Sequence, residues 1–317
     1  MVISKKKFSM SIPQRILLQT FIAIIAILFN LIAPDLAERS RYFLLGVVIL
    51  IIGMPHGALD HHIDGNLEGW NPYTLNLKFY SQYFILMGIY SVIWIFFPFF
   101  SFMFFLLITL YHFGQADAMR FNYIGIEKWL IHITRGITVV GLIIFGNFEY
   151  ASSIIEAVTN ISLYKESIGF IDPEFVKWTI ASSYPITYLL VIGLSKQKSE
   201  YKLIYLIDAL IVPLLFIYCD LVWAFAIYFG IWHSYNHALI MLKYLTSKKH
   251  AVNFSWFFKQ SFLFSLLSYI GLLFVYNMLN AFGNEELLVS LLFVVIAILT
   301  LPHMMVVEKL YTRWDRS

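Results

Sequence analysis

The sequence predicts an all-α protein, a polytopic transmembrane bundle of about ten helices built as one membrane domain over residues 1–317. Three observations predict it. Hydrophobic residues make up 60% of the chain and charged residues 13%, against roughly a quarter charged in an ordinary soluble domain, which leaves too little polar surface to cover a globule in water. Windows of about 20 apolar residues, the length one span requires, recur from end to end. No long polar stretch separates them, so lipid is the solvent for the whole chain.

The first span covers about 16–33, after an amino-terminal segment 1–15 that carries Lys5, Lys6 and Lys7. It reads as a span rather than a signal peptide: the run is long, and Asp35-Leu36-Ala37 puts an acid where a small residue precedes cleavage. The second span covers about 42–59, and the third and fourth, about 79–97 and 98–117, meet at Phe97-Pro98-Phe99 with almost no loop. The fifth, about 129–147, carries Arg135, and the sixth covers about 175–194. The seventh, about 203–219, carries Asp208 and meets the eighth, about 221–242, at Cys219-Asp220. The ninth and tenth, about 257–279 and 287–308, close the helical bundle 16–308 before a short tail, 309–317. At the two tight junctions a hairpin is hard to tell from one long helix, so the expected count is nine to eleven.

Orientation follows from the basic residues, because cytoplasmic loops carry the excess of Lys and Arg. With the amino terminus inside, 17 of the 22 fall in inner segments, four (Arg39, Arg41, Lys165, Lys177) in outer ones, and Arg135 within a span. The split supports an even number of spans with both termini cytoplasmic, in the cell's inner membrane. It also accounts for the net charge of +3, so no nucleic-acid partner is implied. The single cysteine, Cys219, excludes a disulfide framework and a cysteine-based metal site.

The histidines carry the chemistry. His56, His61, His62, His112, His233, His237 and His303 fall in four polar interruptions of the apolar spans, while His132 and His250 stand apart. The second, fourth, eighth and tenth spans all run inward, and His56, His112, His233 and His303 lie about 12 to 16 residues into them. At 1.5 Å per residue all four sit roughly 18 to 24 Å below the outer boundary. His233 and His237, four apart, project from one helical face. Arg135 and Asp208 lie at similar depth, with Asp60 and Asp117 just inward. Charges in the bilayer core are costly unless paired, so these should face the interior. Asp60, Asp117 and Asp208 are candidates to accept a histidine N–H and fix its tautomer.

Taken singly, each histidine has a plain structural reading as a polar bridge between helices. His132 and His250 keep it, and His61 and His62 read as solvated interface residues. His56, His112, His233 and His237 together point to a shared metal or acid–base site. Imidazoles without thiolates suit zinc, copper, iron or nickel. A site submerged among Tyr111, Phe113, Phe229, Trp232 and Tyr235, candidate linings of a substrate channel, suits a hydrophobic substrate. That favours oxygen chemistry on a lipid, with iron as the ion.

Four pieces taken in order, Pro55-His56-Gly57-Ala58-Leu59-Asp60, Tyr111-His112-Phe113-Gly114 with Asp117, His233-Ser234-Tyr235-Asn236-His237, and Leu301-Pro302-His303, resemble the Brp/Blh family of membrane beta-carotene 15,15'-dioxygenases. The resemblance implies cleavage of the central double bond of beta-carotene with O2 to two molecules of all-trans-retinal, which pass to a rhodopsin. It implies non-haem Fe(II) held by His56, His112, His233 and His237. His303 is given a supporting catalytic role in proton transfer or substrate placement. The segment from Met1 to about Arg41 precedes the matched region, and no functional role is carried onto it. Two rival readings remain: a di-iron membrane lipid desaturase or hydroxylase, which needs more His-x-x-x-His and His-x-x-His-His clusters, and a non-enzymatic transporter or haem-binding membrane protein using Arg135 with Asp208 as a relay.

Overall fold

A computed structural model describes residues 10–119, 123–162, 172–194, 202–247, 252–281 and 287–315. His250 lies outside them, as do Lys5, Lys6, Lys7, Arg120, Lys165, Lys196, Lys198, Lys248, Lys249 and Arg316 among the residues used for orientation. Every regular element among the described residues is helical. In chain order these are α1 (Ile12–Ile32), α2 (Pro34–Val48), a π-helical turn π1 (Ile49–Gly53), α3 (Met54–Gly57), α4 (Asp60–Glu68), α5 (Leu77–Phe96), α6 (Pro98–Ala118), α7 (Gly125–Phe145) and α8 (Phe148–Thr159). There follow α9 (Pro173–Leu194), α10 (Lys202–Tyr218), α11 (Leu221–Ile227), a second π-helical segment π2 (Tyr228–Ser234), α12 (Tyr235–Ser247), α13 (Phe254–Ala281) and α14 (Leu287–Asp315).

Eight of the described helical runs, with Pro34–Glu68 counted as one, are long and apolar enough to cross a membrane. The other two expected spans correspond to α10 and to the composite α11–π2–α12. The chain is thus a multi-pass membrane protein, an all-α bundle of about ten helices. Its outward faces carry large apolar side chains such as Phe21, Phe43, Ile95, Phe100 and Leu107, while its interior holds histidines, carboxylates and an arginine. That inversion is what a lipid solvent selects.

The tight junctions are true breaks. Phe97 leaves the helical region (φ −138°), as a residue before proline tends to, and Pro98 opens α6 at a position where its missing N–H costs nothing. Ala33 and Pro34 do the same between α1 and α2 (φ −132°). At the other junction Asp220 caps α11, its Oδ1 accepting from the N–H groups of Val222 (3.0 Å) and Trp223 (3.1 Å). The short helix α8 was not expected, because with Glu149 and Glu156 it offers no long apolar window. Local signals build it: Asn147 accepts from the Tyr150 N–H at 3.2 Å, and Asn160 ends it in the left-handed region (φ 60°).

Three packing devices position the interior. First, α6 and α7 cross at paired glycines. A Cβ at Gly114 would lie 2.0 Å from the His132 carbonyl oxygen, and one at Gly136 would lie 2.1 Å from that of Leu110, a backbone approach only small residues permit. Second, π1 and π2 face each other: a Cβ at Gly53 would meet the Phe229 ring at 2.8 Å, and one at Gly230 would meet Val48 at 2.8 Å. Third, Asp60, Asp64 and Glu68, each one turn apart on α4, take His303, Lys309 and Arg313 of α14 at 2.9, 2.9 and 3.0 Å.

Candidate metal centre

Each histidine of the centre arrives on a different stretch of helix. His56 follows π1 on α3, His112 is on α6, His233 is near the end of π2, His237 is in the first turn of α12, and His303 follows Pro302 on α14. π-helical turns recur at functional sites because the extra residue rotates the following side chains relative to the preceding face. The carbonyl geometry around π2 is stabilised from α1, where Gln19 Nε2 donates to Ile231 O at 2.9 Å and Arg15 donates to Asn236 Oδ1 at 3.1 Å. The amino-terminal helix, to which the sequence assigned no role, thus buttresses the His233–His237 segment.

All five rings are buried and form one cluster. Centroid separations are 4.9 Å for His112–His233, 5.2 Å for His56–His303, 5.5 Å for His56–His233 and for His112–His303, and 5.6 Å for His56–His237 and for His237–His303. His112–His237 and His233–His237 are wider, at 6.3 and 6.4 Å. A divalent ion with metal–nitrogen bonds of about 2.1 Å holds each ring centroid about 3.2 Å away, so imidazoles sharing it lie between about 4.5 and 6.4 Å apart. These eight separations, of the ten that five rings make, fall in that window.

The donor atoms are in a different condition from the rings. Among the described residues no three His, Cys, Asp or Glu side chains are arranged to hold an ion as they stand. Helix packing dictates where a ring sits, whereas its terminal torsion is broad, so ring spacing is the property the fold itself imposes. The nitrogens have the chemistry of a donor set. Both of His112, Nδ1 of His233 and Nε2 of His237 and His303 are buried without a hydrogen-bond partner. An unsatisfied buried polar atom costs about 1–3 kcal/mol, and a cation at the cluster would take one lone pair from each of these four neutral imidazoles.

Three rings are anchored from behind. His56 Nδ1 lies 3.3 Å from the Ile52 carbonyl. His237 Nδ1 lies 2.6 Å from the Tyr311 hydroxyl. His303 Nδ1 lies 2.9 and 3.0 Å from the two oxygens of Asp60, whose Oδ2 also accepts from the Tyr83 hydroxyl at 3.0 Å. Neither tyrosine was anticipated. Tyr311 is eight residues beyond His303, on the same helical face, but the expected tenth span stopped at 308; nothing in the sequence singles out Tyr83.

Two of the expected carboxylate roles are corrected. Asp117 and Asp208 bind Arg135 rather than a histidine: Arg135 donates to Asp117 Oδ2 from Nε (3.1 Å) and NH2 (2.9 Å), and to Asp208 Oδ2 from NH1 (2.8 Å). A guanidinium in the core needs a counter-charge and acceptors for its several N–H donors, and this demand on Asp117 and Asp208 outcompetes neutral imidazoles. Tyr228 adds a 2.6 Å bond to Asp117 and Trp232 a 2.7 Å bond to Asp208. Asp60 alone of the three meets a centre histidine.

Of the aromatic residues expected near the centre, Phe113 and Phe229 are in contact with it, at 4.6 and 5.5 Å from the His233 ring. The others are engaged elsewhere: Tyr111 with Glu308 (3.1 Å), Trp232 with Asp208, and Tyr235 stacked on Phe254 (5.8 Å). His61 and His62, expected to be solvated, are buried against Phe264 (4.8 Å) and Trp256 (5.0 Å). His132 is also buried and touches Trp129.

Comparison with known proteins bears on this arrangement. Residues 47–311 match the family model described as beta-carotene 15,15'-dioxygenase, a stretch that holds all five histidines and both tyrosines. The chain is 25% identical over 274 residues to a beta-carotene 15,15'-dioxygenase from uncultured marine bacterium 66A03, covering 83% of this chain and 92% of that protein. It is 25% identical over 232 residues to the probable beta-carotene 15,15'-dioxygenase Blh of Halobacterium salinarum, covering 67% of this chain and 65% of that one. No solved structure matches the chain. With the family model spanning residues 47–311, the chain belongs to the beta-carotene 15,15'-dioxygenase family.

Proposed function

We propose that this protein cleaves the central 15,15' double bond of beta-carotene with O2, giving two molecules of all-trans-retinal, at an Fe(II) centre held by His56, His112, His233 and His237. The observation that carries the reading is the set of partnerless imidazole nitrogens gathered inside an apolar bundle. The relatives' names, beta-carotene 15,15'-dioxygenase and probable beta-carotene 15,15'-dioxygenase, support the substrate and the bond cleaved. Bound iron supplies the one-electron chemistry that allows dioxygen to react with an alkene.

The chain's own residues do the rest. Breaking one C=C and forming two C=O bonds uses both atoms of O2 and leaves no net proton to move, so no protein base is demanded. Positioning and exclusion of water are the main tasks. Phe113 and Phe229 wall the cluster on the His233 side. Tyr311 and Asp60 fix ring orientation from behind, as outer groups do for metal-bound imidazoles. A polyene reaches such a site from lipid, through a lateral opening between helices, and retinal leaves by the same phase toward a rhodopsin. The charge asymmetry of the loops supports cytoplasmic termini in the inner cell membrane. The di-iron alternative draws less support, since five clustered imidazoles are few for two irons.

Expression in carotene-producing bacteria tests the reading: orange colour should fade as retinal appears in the extract. Persistent colour with folded, iron-loaded protein in the membrane overturns it.

A further inference from the structure

We infer that His303 is a fifth imidazole facing the metal position, with Asp60 and Tyr83 as the positioning residues that set its ring. The inference deepens the iron-centre reading and rests on it for the presence of a metal.

Position gives the first argument. His303 lies 5.2 Å from His56, 5.5 Å from His112 and 5.6 Å from His237, ring to ring. Five of the six pairs among the four histidines expected to bind iron are separated by 4.9 to 6.4 Å. His303 stands within the same range of three of them.

Tautomer gives the second. Nδ1 sits 2.9 and 3.0 Å from both Asp60 oxygens, so Nδ1 carries the proton and donates it to the carboxylate. The lone pair is then left on Nε2, which is buried and has no partner. A carboxylate behind one ring nitrogen and a free lone pair on the other is the arrangement that orients metal-binding histidines. Tyr83 donates to Asp60 at 3.0 Å, fixing the carboxylate in turn.

A structural bridge between α4 and α14 is the competing account. It explains the Nδ1 bond, but Lys309–Asp64 and Arg313–Glu68 already join those helices, and a bridge leaves Nε2 stranded among imidazoles. A fifth ligand uses both nitrogens. It also leaves the ion one fewer open position than a four-histidine set.

The test uses Co(II) as the probe, added to the folded, metal-free full-length protein in detergent, with visible absorption and affinity as readouts. For His303→Ala the Co(II) bands should shift and binding should weaken by about 10- to 100-fold, with imidazole in the buffer restoring both. Asp60→Asn and Tyr83→Phe should shift the bands less. An unchanged spectrum and affinity in His303→Ala overturns the inference while leaving the iron-centre reading intact. If His303→Ala does not fold, Asp60→Asn decides: a shifted spectrum supports the inference and an unshifted one overturns it. Wild-type protein that binds no Co(II) overturns both readings. A wild type that binds Co(II) with a His303-dependent spectrum but, once loaded with Fe(II) instead, leaves beta-carotene intact supports the fifth ligand and removes the substrate assignment.

Discussion

The Tyr311 hydroxyl lies 2.6 Å from Nδ1 of His237, with the two rings nearly perpendicular at 88°. The bond ties the last helix to the histidine in the first turn of α12 and leaves His237 Nε2 for the cluster. Tyr311→Phe deletes one oxygen and little volume. Retinal formation and iron retention should each fall about 10-fold or more, measured by retinal yield and by iron per chain, while the melting temperature changes little.

The Arg135–Asp117–Asp208 group is fully buried, at 0% exposure on every member. Removing one side of a buried pair leaves an uncompensated charge, at a cost of about 3–5 kcal/mol. Arg135→Met should therefore sharply reduce folded protein recovered in detergent. Neutralising both acids in the same chain, as Asp117→Asn with Asp208→Asn, should recover part of the yield. A single variant as stable as wild type would contradict this account of the core.

Glycine replacement separates tight from open sites. Gly114→Ala places a methyl group 2.0 Å from a backbone oxygen of α7, so the helices must part, at about 1–3 kcal/mol or more. Gly88→Ala meets nothing within 4 Å and should be neutral or slightly stabilising. Thermal unfolding of the two variants side by side measures the difference.

Stripping the metal should loosen the fold as well as stop the reaction. With the lone pairs of His112, His233, His237 and His303 left unsatisfied, purified protein treated with an iron chelator should melt at a lower temperature, and Fe(II) should reverse the change. A melting temperature indifferent to chelator and Fe(II) would count against a metal at this cluster.

Much of the bundle was legible because lipid imposes a length on apolar runs, and Pro98 and Asp220 mark real breaks. The histidine layer was legible because spans of one direction place equal offsets at equal depth. What escaped was any structure set by neighbours. The π turn at Ile49–Gly53 has no sequence period of its own. Asp117 and Asp208 turned to Arg135 because three charged groups met in the core, a choice that no one-dimensional reading of depth resolves. Tyr83 and Tyr311 entered the site because helices distant in sequence brought them there.

The acid–base ladder along α4 and α14 also has a meaning in time. His56 and the acids Asp60, Asp64 and Glu68 precede His303, Lys309, Tyr311 and Arg313 along the chain and are synthesised before them. Until that final helix docks, His237 lacks its anchor and the cluster lacks one ring. The five-ring cluster is therefore complete only once α14 has been made and has docked, so the order of synthesis along the chain is also the order in which the cluster is assembled.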